Sequence, residues 1–173
     1  MDGILPADVA YKASRAQSHA IAEYLGAGGS ADDTNAEGIP LLHLVLSASR
    51  RYGLVIGDRL EGAVRAVLDG GPRDVDVRWR GRTPLHTAVG STLGSTHVPS
   101  TFLGKQLNII AMLVEAGADV NAGSATYRYR SEVLGSDGKT PLMVAAEGGV
   151  GYGMSRTYAI IRLLLTLGAR VDI

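Results

Sequence analysis

The sequence contains no cysteine. Disulfides, thiolate metal sites and cysteine nucleophiles are thereby excluded. Aromatic residues are scarce, at 5% with one Phe and one Trp, which excludes a deep core filled by rings. Charge of one sign is lacking too, because 17 basic and 17 acidic residues give a formal net charge of +0. A general attraction to nucleic acid or to an anionic membrane is therefore missing, and any such binding has to come from a local patch. The segment Met1 to Pro6 has no basic stretch followed by an apolar run, so it does not read as a signal peptide. The most apolar stretch, Ile160 to Leu165, is short and broken by Arg162, far from a membrane span. These absences fit a soluble protein in an intracellular setting, cytoplasm or nucleus.

What is present is aliphatic and repetitive. Hydrophobic residues make up 46% of 173 residues, enough for a continuous core and too many for a disordered chain. Small and aliphatic side chains suit thin helices layered closely. Self-similarity is the main signal. Gly81-Arg82-Thr83-Pro84-Leu85-His86 returns as Gly138-Lys139-Thr140-Pro141-Leu142-Met143 and, more weakly, as Gly38-Ile39-Pro40-Leu41-Leu42-His43. Between them, Leu113-Val114-Glu115-Ala116-Gly117-Ala118-Asp119-Val120-Asn121 returns as Leu164-Leu165-Thr166-Leu167-Gly168-Ala169-Arg170-Val171-Asp172. Degenerate copies are Val67-Leu68-Asp69-Gly70-Gly71 and Tyr24-Leu25-Gly26-Ala27-Gly28.

Each piece has a physical reason. Thr83 and Thr140 can cap a helix by accepting an orphan amide proton of its first turn. Pro84 and Pro141 then stand at the first helical position, where a missing N–H costs little. Leu85 and Leu142 begin a buried face. Gly117 and Gly168 stand where a helix ends in a left-handed residue. The two signatures together resemble the ankyrin repeat, whose first helix opens on Thr-Pro-Leu-His and whose second helix runs into Gly-Ala-Asp-Val-Asn. The resemblance implies an all-α solenoid of stacked helix-turn-helix units joined by hairpin loops.

Spacing agrees with the resemblance. Gly28 to Gly38 and Gly71 to Gly81 are both steps of 10. The units are long: Leu42 to Leu85 is 43 residues and Leu85 to Leu142 is 57, against about 33 for the standard repeat. The excess falls between the helices of each unit, around Ser49 to Arg59, Gly90 to Lys105 and Val150 to Thr157, and in the hairpin from Gly123 to Gly135. Longer helices can absorb part of it in the first two full repeats, and Gly90 to Gly104 reads as a loop. The map is a single array over residues 1–173, with a partial or capping repeat at about 4–29 and full repeats at about 35–71, 76–117 and 138–168. Ile160, Ile161 and Leu163 to Leu165 form an apolar final helix without a polar cap, so the chain is expected to be a fragment of a longer array or to meet a partner there.

Chemistry is thin. The resemblance gives His86 and His43 the task of tying neighbouring hairpins by hydrogen bonds. His19 and His97 have no carboxylate or thiolate at ligand spacing, so no metal is implied. Gly148-Gly149-Val150-Gly151-Tyr152-Gly153 lacks the strand and acidic partner of a dinucleotide site, and no cofactor is expected. The scattered carboxylates suit turns. Asn121, after Asp119-Val120, resembles the segment modified by asparaginyl hydroxylases, although a turn Asn bonding to backbone explains it as well.

The hairpin tips carry the candidate site. Arg78-Trp79-Arg80 lies in one hairpin and Tyr127-Arg128-Tyr129-Arg130 in the next, and stacked units should bring the two side by side. Trp, Tyr and Arg are enriched among binding hot spots, and nothing in its own repeat requires a Trp on this turn. The alternative is that Trp79 and Tyr127 merely cover each other. The expected function is a non-enzymatic module holding a protein partner, an acidic one by the chemistry of bidentate Arg contacts, with the aromatics as anchors. Two rivals are nucleic-acid binding by the same edge, disfavoured by the neutral charge, and a regulatory or targeting region of a larger enzyme.

Overall fold

Local rules set the helix ends. In the computed structural model, which describes residues 3–52, 57–90, 100–129, 132–134, 138–148 and 154–171, α1 spans Ala7–Ala13 and α2 Ser18–Gly26. They are followed by α3 (Leu41–Tyr52), α4 (Gly57–Asp69), α5 (Pro84–Gly90) and α6 (Ser100–Glu115). A two-stranded ribbon comes next, β1 (Tyr127–Tyr129) and β2 (Glu132–Leu134), and then α7 (Pro141–Gly148) and α8 (Met154–Thr166).

Thr83 and Thr140 cap as the sequence requires. The hydroxyl of Thr83 accepts the His86 amide at 3.4 Å, and that of Thr140 accepts the Met143 amide at 3.3 Å. In α3 the pattern slips by one residue. Pro40 takes the capping position, its carbonyl accepting the Leu44 amide at 2.9 Å. Leu41 then stands where the other units have proline, and its N–H finds the Asp33 carbonyl at 3.0 Å.

The second helices all close on a left-handed glycine: Gly28, Gly71, Gly117 and Gly168 have φ of 93°, 66°, 104° and 97°. Behind Gly28, Gly117 and Gly168 the following amide folds back onto the helix, from Gly29 to Tyr24, Ala118 to Leu113 and Ala169 to Leu164, at 2.9–3.1 Å. This is the paired Schellman closure. After Gly71 comes Pro72, which has no amide hydrogen, so only the inner bond to Leu68 at 3.0 Å is made.

The helices form two layers. First helices α1, α3, α5 and α7 pack in sequence along one layer, and second helices α2, α4, α6 and α8 along the other, each first helix also touching its own second helix. Aliphatic side chains fill the space between: Leu41, Leu42, Val45 and Leu46 from α3; Ala63, Val64 and Val67 from α4; Leu85 and Val89 from α5; Ile110 and Leu113 from α6; Ile160 and Leu164 from α8. Burying each Leu or Ile contributes about 1.5–3 kcal/mol. With so few rings, each layer stays one helix thick.

The inserted lengths resolve differently from one place to another. α3 reaches Tyr52 and α4 begins at Gly57, so the first excess becomes helix. Residues 100–104, expected in a loop, open α6 instead, with Phe102 buried. Residues 91–99 and 149–153 lie outside the described residues, and the glycine-rich segment from Gly149 to Gly153 falls there. The hairpin insertion forms an antiparallel ribbon with Tyr127 opposite Leu134, Arg128 opposite Val133 and Tyr129 opposite Glu132. The helical solenoid is otherwise as expected. Among the described residues no helix is long and apolar enough to cross a membrane.

Candidate functional site

The hairpins between units are joined by side chains at fixed positions. His86, fully buried, lies with Nε2 2.7 Å from the Lys139 carbonyl of the next hairpin. His43 does the same to Val77 at 2.8 Å. A carbonyl can only accept, so both imidazoles carry their proton on Nε2. The Nδ1 of His86 then accepts from the amide and hydroxyl of Thr83, at 3.3 and 2.8 Å. For His43 the corresponding donor is the Thr87 hydroxyl at 3.4 Å, supplied by α5. Burial pushes both imidazoles below their ordinary pKa, which keeps them neutral ties. Met143 occupies the matching position in α7 and is partly exposed.

A second set of joins uses short polar side chains. The Asp32 carboxylate accepts the Arg73 amide at 2.9 Å, Asp76 accepts the Asp119 amide at 2.9 Å, and the Asn121 carbonyl oxygen accepts the Arg170 amide at 2.8 Å. Asn121 also donates from its amide nitrogen to the Gly168 carbonyl at 3.2 Å. Both ends of that side chain are therefore engaged between hairpins, the structural role open to a turn Asn. Asp76 is less well served. Its Oδ1 is buried without a partner, and burial, reinforced by Asp119 and Asp74, holds its carboxyl above the ordinary range. In the first hairpin Asp33 is buried beneath Tyr24, whose hydroxyl donates to it. Burial and that carboxylate push the phenol up to about 12.

Arg78, Trp79 and Arg80 form a tight turn. Trp79 and Arg82 exchange backbone bonds at 3.0 and 3.1 Å, and the two residues between them, Arg80 and Gly81, have φ of 50° and 73°. Positive φ at both central positions defines the type I′ turn, which favours Asn-Gly. Arginine in that first position costs about 1–2 kcal/mol. Gly81 is required twice over, because a Cβ there would collide with the Ala125 carbonyl. The Arg80 guanidinium sits 4.5 Å from the Trp79 ring centroid, in cation–π geometry.

Trp79 packs against the preceding unit. It is half-buried against the core and lies 6.1 Å from the His43 ring of the preceding unit, tilted by 51°. Arg78 likewise has a structural task. Its Nη1 donates to the Gly123 carbonyl at 2.7 Å, fastening the base of the next hairpin. The Ala125 amide adds a bond to the Gly81 carbonyl at 2.7 Å. The two hairpins are thus joined just before Tyr127. Tyr127 is half-buried, while Arg128 and Tyr129 are placed by their backbone in β1. Arg130 lies outside the described residues, as does His97.

Among the described residues no group of His, Asp or Glu could hold a metal ion. His19 is exposed on α2, along a shallow groove with Ser18, Gly26, Gly62 and Gly70. One polar cluster is not foreseen from the motifs. Gln106, buried in α6, donates to the Ala88 and Val89 carbonyls at the end of α5, at 2.9 and 3.3 Å. Its oxygen accepts from Arg156 of α8 at 3.0 Å, and that guanidinium also lies over the Phe102 ring. The available signal is the spacing Phe102, Gln106, Ile109, Leu113, which puts a glutamine on a buried helix face.

Comparison with known proteins adds one positive result. Residues 80–125 and 137–173 match the family model described as the ankyrin repeat. No curated protein matches the chain. The matched segments hold both Thr-Pro-Leu openings, and α3 with α4 repeats their layering, glycine closure and histidine tie without being matched. Two layers of paired helices, joined hairpin to hairpin at these positions, agree with that match, and residues 80–125 and 137–173 are ankyrin repeats.

Proposed function

We propose that this chain is a non-enzymatic interaction module that holds an acidic segment of a protein partner along its hairpin edge. Ankyrin repeats are generally protein-interaction modules and are typically non-catalytic. The residues assigned to contact are Arg78, Trp79, Arg80, Tyr127, Arg128, Tyr129 and Arg130, with Arg78 also fastened to the Gly123 carbonyl of the next hairpin. The observation that carries the reading is the Arg80 guanidinium laid over Trp79 at a hairpin tip, at 4.5 Å. Exposed Arg78, Arg80 and Arg82 make the same edge basic, on a chain whose total charge is balanced. Arginine matches carboxylates in a planar fork, and an adjoining indole offers apolar area at little entropic cost.

Selection from a random displayed peptide library tests this. Peptides rich in Asp or Glu should be enriched on the wild-type chain. A double charge reversal, Arg80→Glu with Arg128→Glu, should abolish that enrichment and leave the helical circular dichroism intact. Equal enrichment on both proteins, or none on either, would remove the acidic-partner reading. Tighter binding of a random single-stranded oligonucleotide, with a steep loss in salt, would replace it by nucleic-acid recognition.

A further inference from the structure

We propose that copies of this chain stack head to tail, the α7–α8 end of one receiving the α1–α2 end of the next, with Arg162 of the first beside Glu23 of the second. The contact lies at the ends of the array and is independent of the hairpin edge. Its starting point is where apolar surface stays exposed. Among the described residues, the exposed large hydrophobic side chains are Ile4 and Tyr11 at one end and Met143, Tyr158, Leu165 and Val171 at the other. The described parts of the units between have none. Apolar area confined to two opposite faces is area suited to a neighbour.

The α8 face has the register of an internal unit. Leu113 of α6 and Leu164 of α8 hold the same place in the repeat, and both are fully buried. Counted from them, Leu107, Ile110 and Val114 correspond to Tyr158, Ile161 and Leu165. Helix α6 has α4 on one side and α8 on the other, and its three residues are buried or half-buried against the core. Helix α8 has a neighbour in its layer on one side only, so Tyr158 stays 67% and Leu165 44% exposed. At the other end, Ser18 and Leu25 of α2 lie against Gly62 and Gly70 of α4, and the helical period turns Ala20 and Glu23 the opposite way. A small residue beside a carboxylate leaves room for a larger apolar side chain and one cation. Arg162, between Tyr158 and Leu165 in α8, supplies that cation. Glu23 and Arg162 are both exposed, and neither side chain has a partner among the described residues. The nearby Asp8 and Glu147 are already paired, with Lys12 at 3.1 Å and Lys139 at 2.5 Å.

In the other layer, Met143 stands where α3 and α5 carry their histidine ties. A thioether has no proton to donate to a carbonyl, so α7 offers apolar area instead. Ile4, just ahead of α1 as Lys139 is just ahead of α7, offers the same. A tail-to-tail pair would bring two Arg162 faces together, and like charges across an interface are disfavoured.

Sedimentation equilibrium of the intact chain, from micromolar to millimolar concentration, tests this. The wild-type mass should rise with concentration past that of a dimer, because a head-to-tail contact does not close on itself. Arg162→Glu and Glu23→Arg should each weaken association at least about tenfold and leave the helical circular dichroism unchanged. An equimolar mixture of the two variants should restore association, since each reversed face then finds its opposite. A wild type that stays monomeric throughout overturns the proposal. So does association that neither variant weakens, or a mixture that associates no better than its components. Tighter association of Arg162→Glu with wild type than of wild type with itself also overturns it, in favour of a tail-to-tail pair.

Discussion

Helices α3 and α5 make the same join to the next hairpin with different equipment. Both present a buried histidine whose Nε2 reaches a backbone carbonyl, Val77 or Lys139, at 2.8 and 2.7 Å. Around His86 the repeat supplies its own support, because Thr83 caps α5 and also donates to Nδ1. Around His43 that place is taken by Pro40, which has no side-chain acceptor or donor. The borrowed Thr87 hydroxyl substitutes at 3.4 Å. The tie and its support are therefore separable. The tie fixes the stacking of units, while the support sets how firmly each histidine is held. The layering is already present in α3 and α4, ahead of the residues that match the family model from 80 onward.

The comparison can be broken most directly at the histidines. Replacing His86 by Ala leaves a cavity, an unpaired Lys139 carbonyl and an unsupported Thr83, for a loss of about 3 kcal/mol. His43→Ala should cost about 2 kcal/mol, since its support is weaker. Urea unfolding of the two variants measures the difference, and equal losses would mean that Thr83 adds nothing to the join.

A second pair of joins sharpens the same point. Asn121 satisfies both of its side-chain ends between hairpins, whereas Asp76 leaves Oδ1 buried and unpaired. The Gly117 carbonyl holds the place, two residues before Asp119, that Gly168 holds before Arg170. Asp76→Asn supplies the donor that this register calls for, and should stabilise the fold by about 1 kcal/mol. The gain should be larger at pH 7 than at pH 4. A carboxyl whose folded pKa is raised contributes stability that is present below the ordinary 3.8 and lost as pH rises through the folded value. A gain independent of pH would show that the charge on Asp76 is not the fault.

The smallest expected effect is the acid response of the ties. His43 and His86 both have folded pKa values below the ordinary 6.5. Their contribution is fully present above pH 6.5 and is lost as pH falls from there through the lowered values, because the unfolded chain takes up the proton first. The melting temperature should decline gently between pH 7 and pH 5. His86→Gln should flatten that decline more than His19→Gln, since His19 is exposed. A decline unchanged by His86→Gln would move its origin elsewhere.

Much of the fold is legible in the chain because its signals are local. The glycines at 28, 38, 71, 81, 117, 138 and 168 all have positive φ, and each is marked by the residues around it. The threonine caps and the roles of His43 and His86 follow from the same motif. The candidate site is legible only in part. Its residue types are visible, and so is the expectation that neighbouring hairpins meet. The depth of Trp79 is not, because it depends on His43, more than thirty positions earlier. Nor is the division of labour between Arg78 and Arg80, which share a residue type and a neighbourhood. The ribbon from Tyr127 to Leu134 was concealed in an insertion with no period of its own.

The sequence by itself determined the helix pairs, their order and the glycine turns between them, because caps, prolines and left-handed residues act within a few positions of where they stand. Only the tertiary structure decided which arginine braces a neighbouring hairpin and which lies over the indole at the tip. Those outcomes depend on carbonyls and rings brought close by stacking, and no run of adjacent residues encodes such distances.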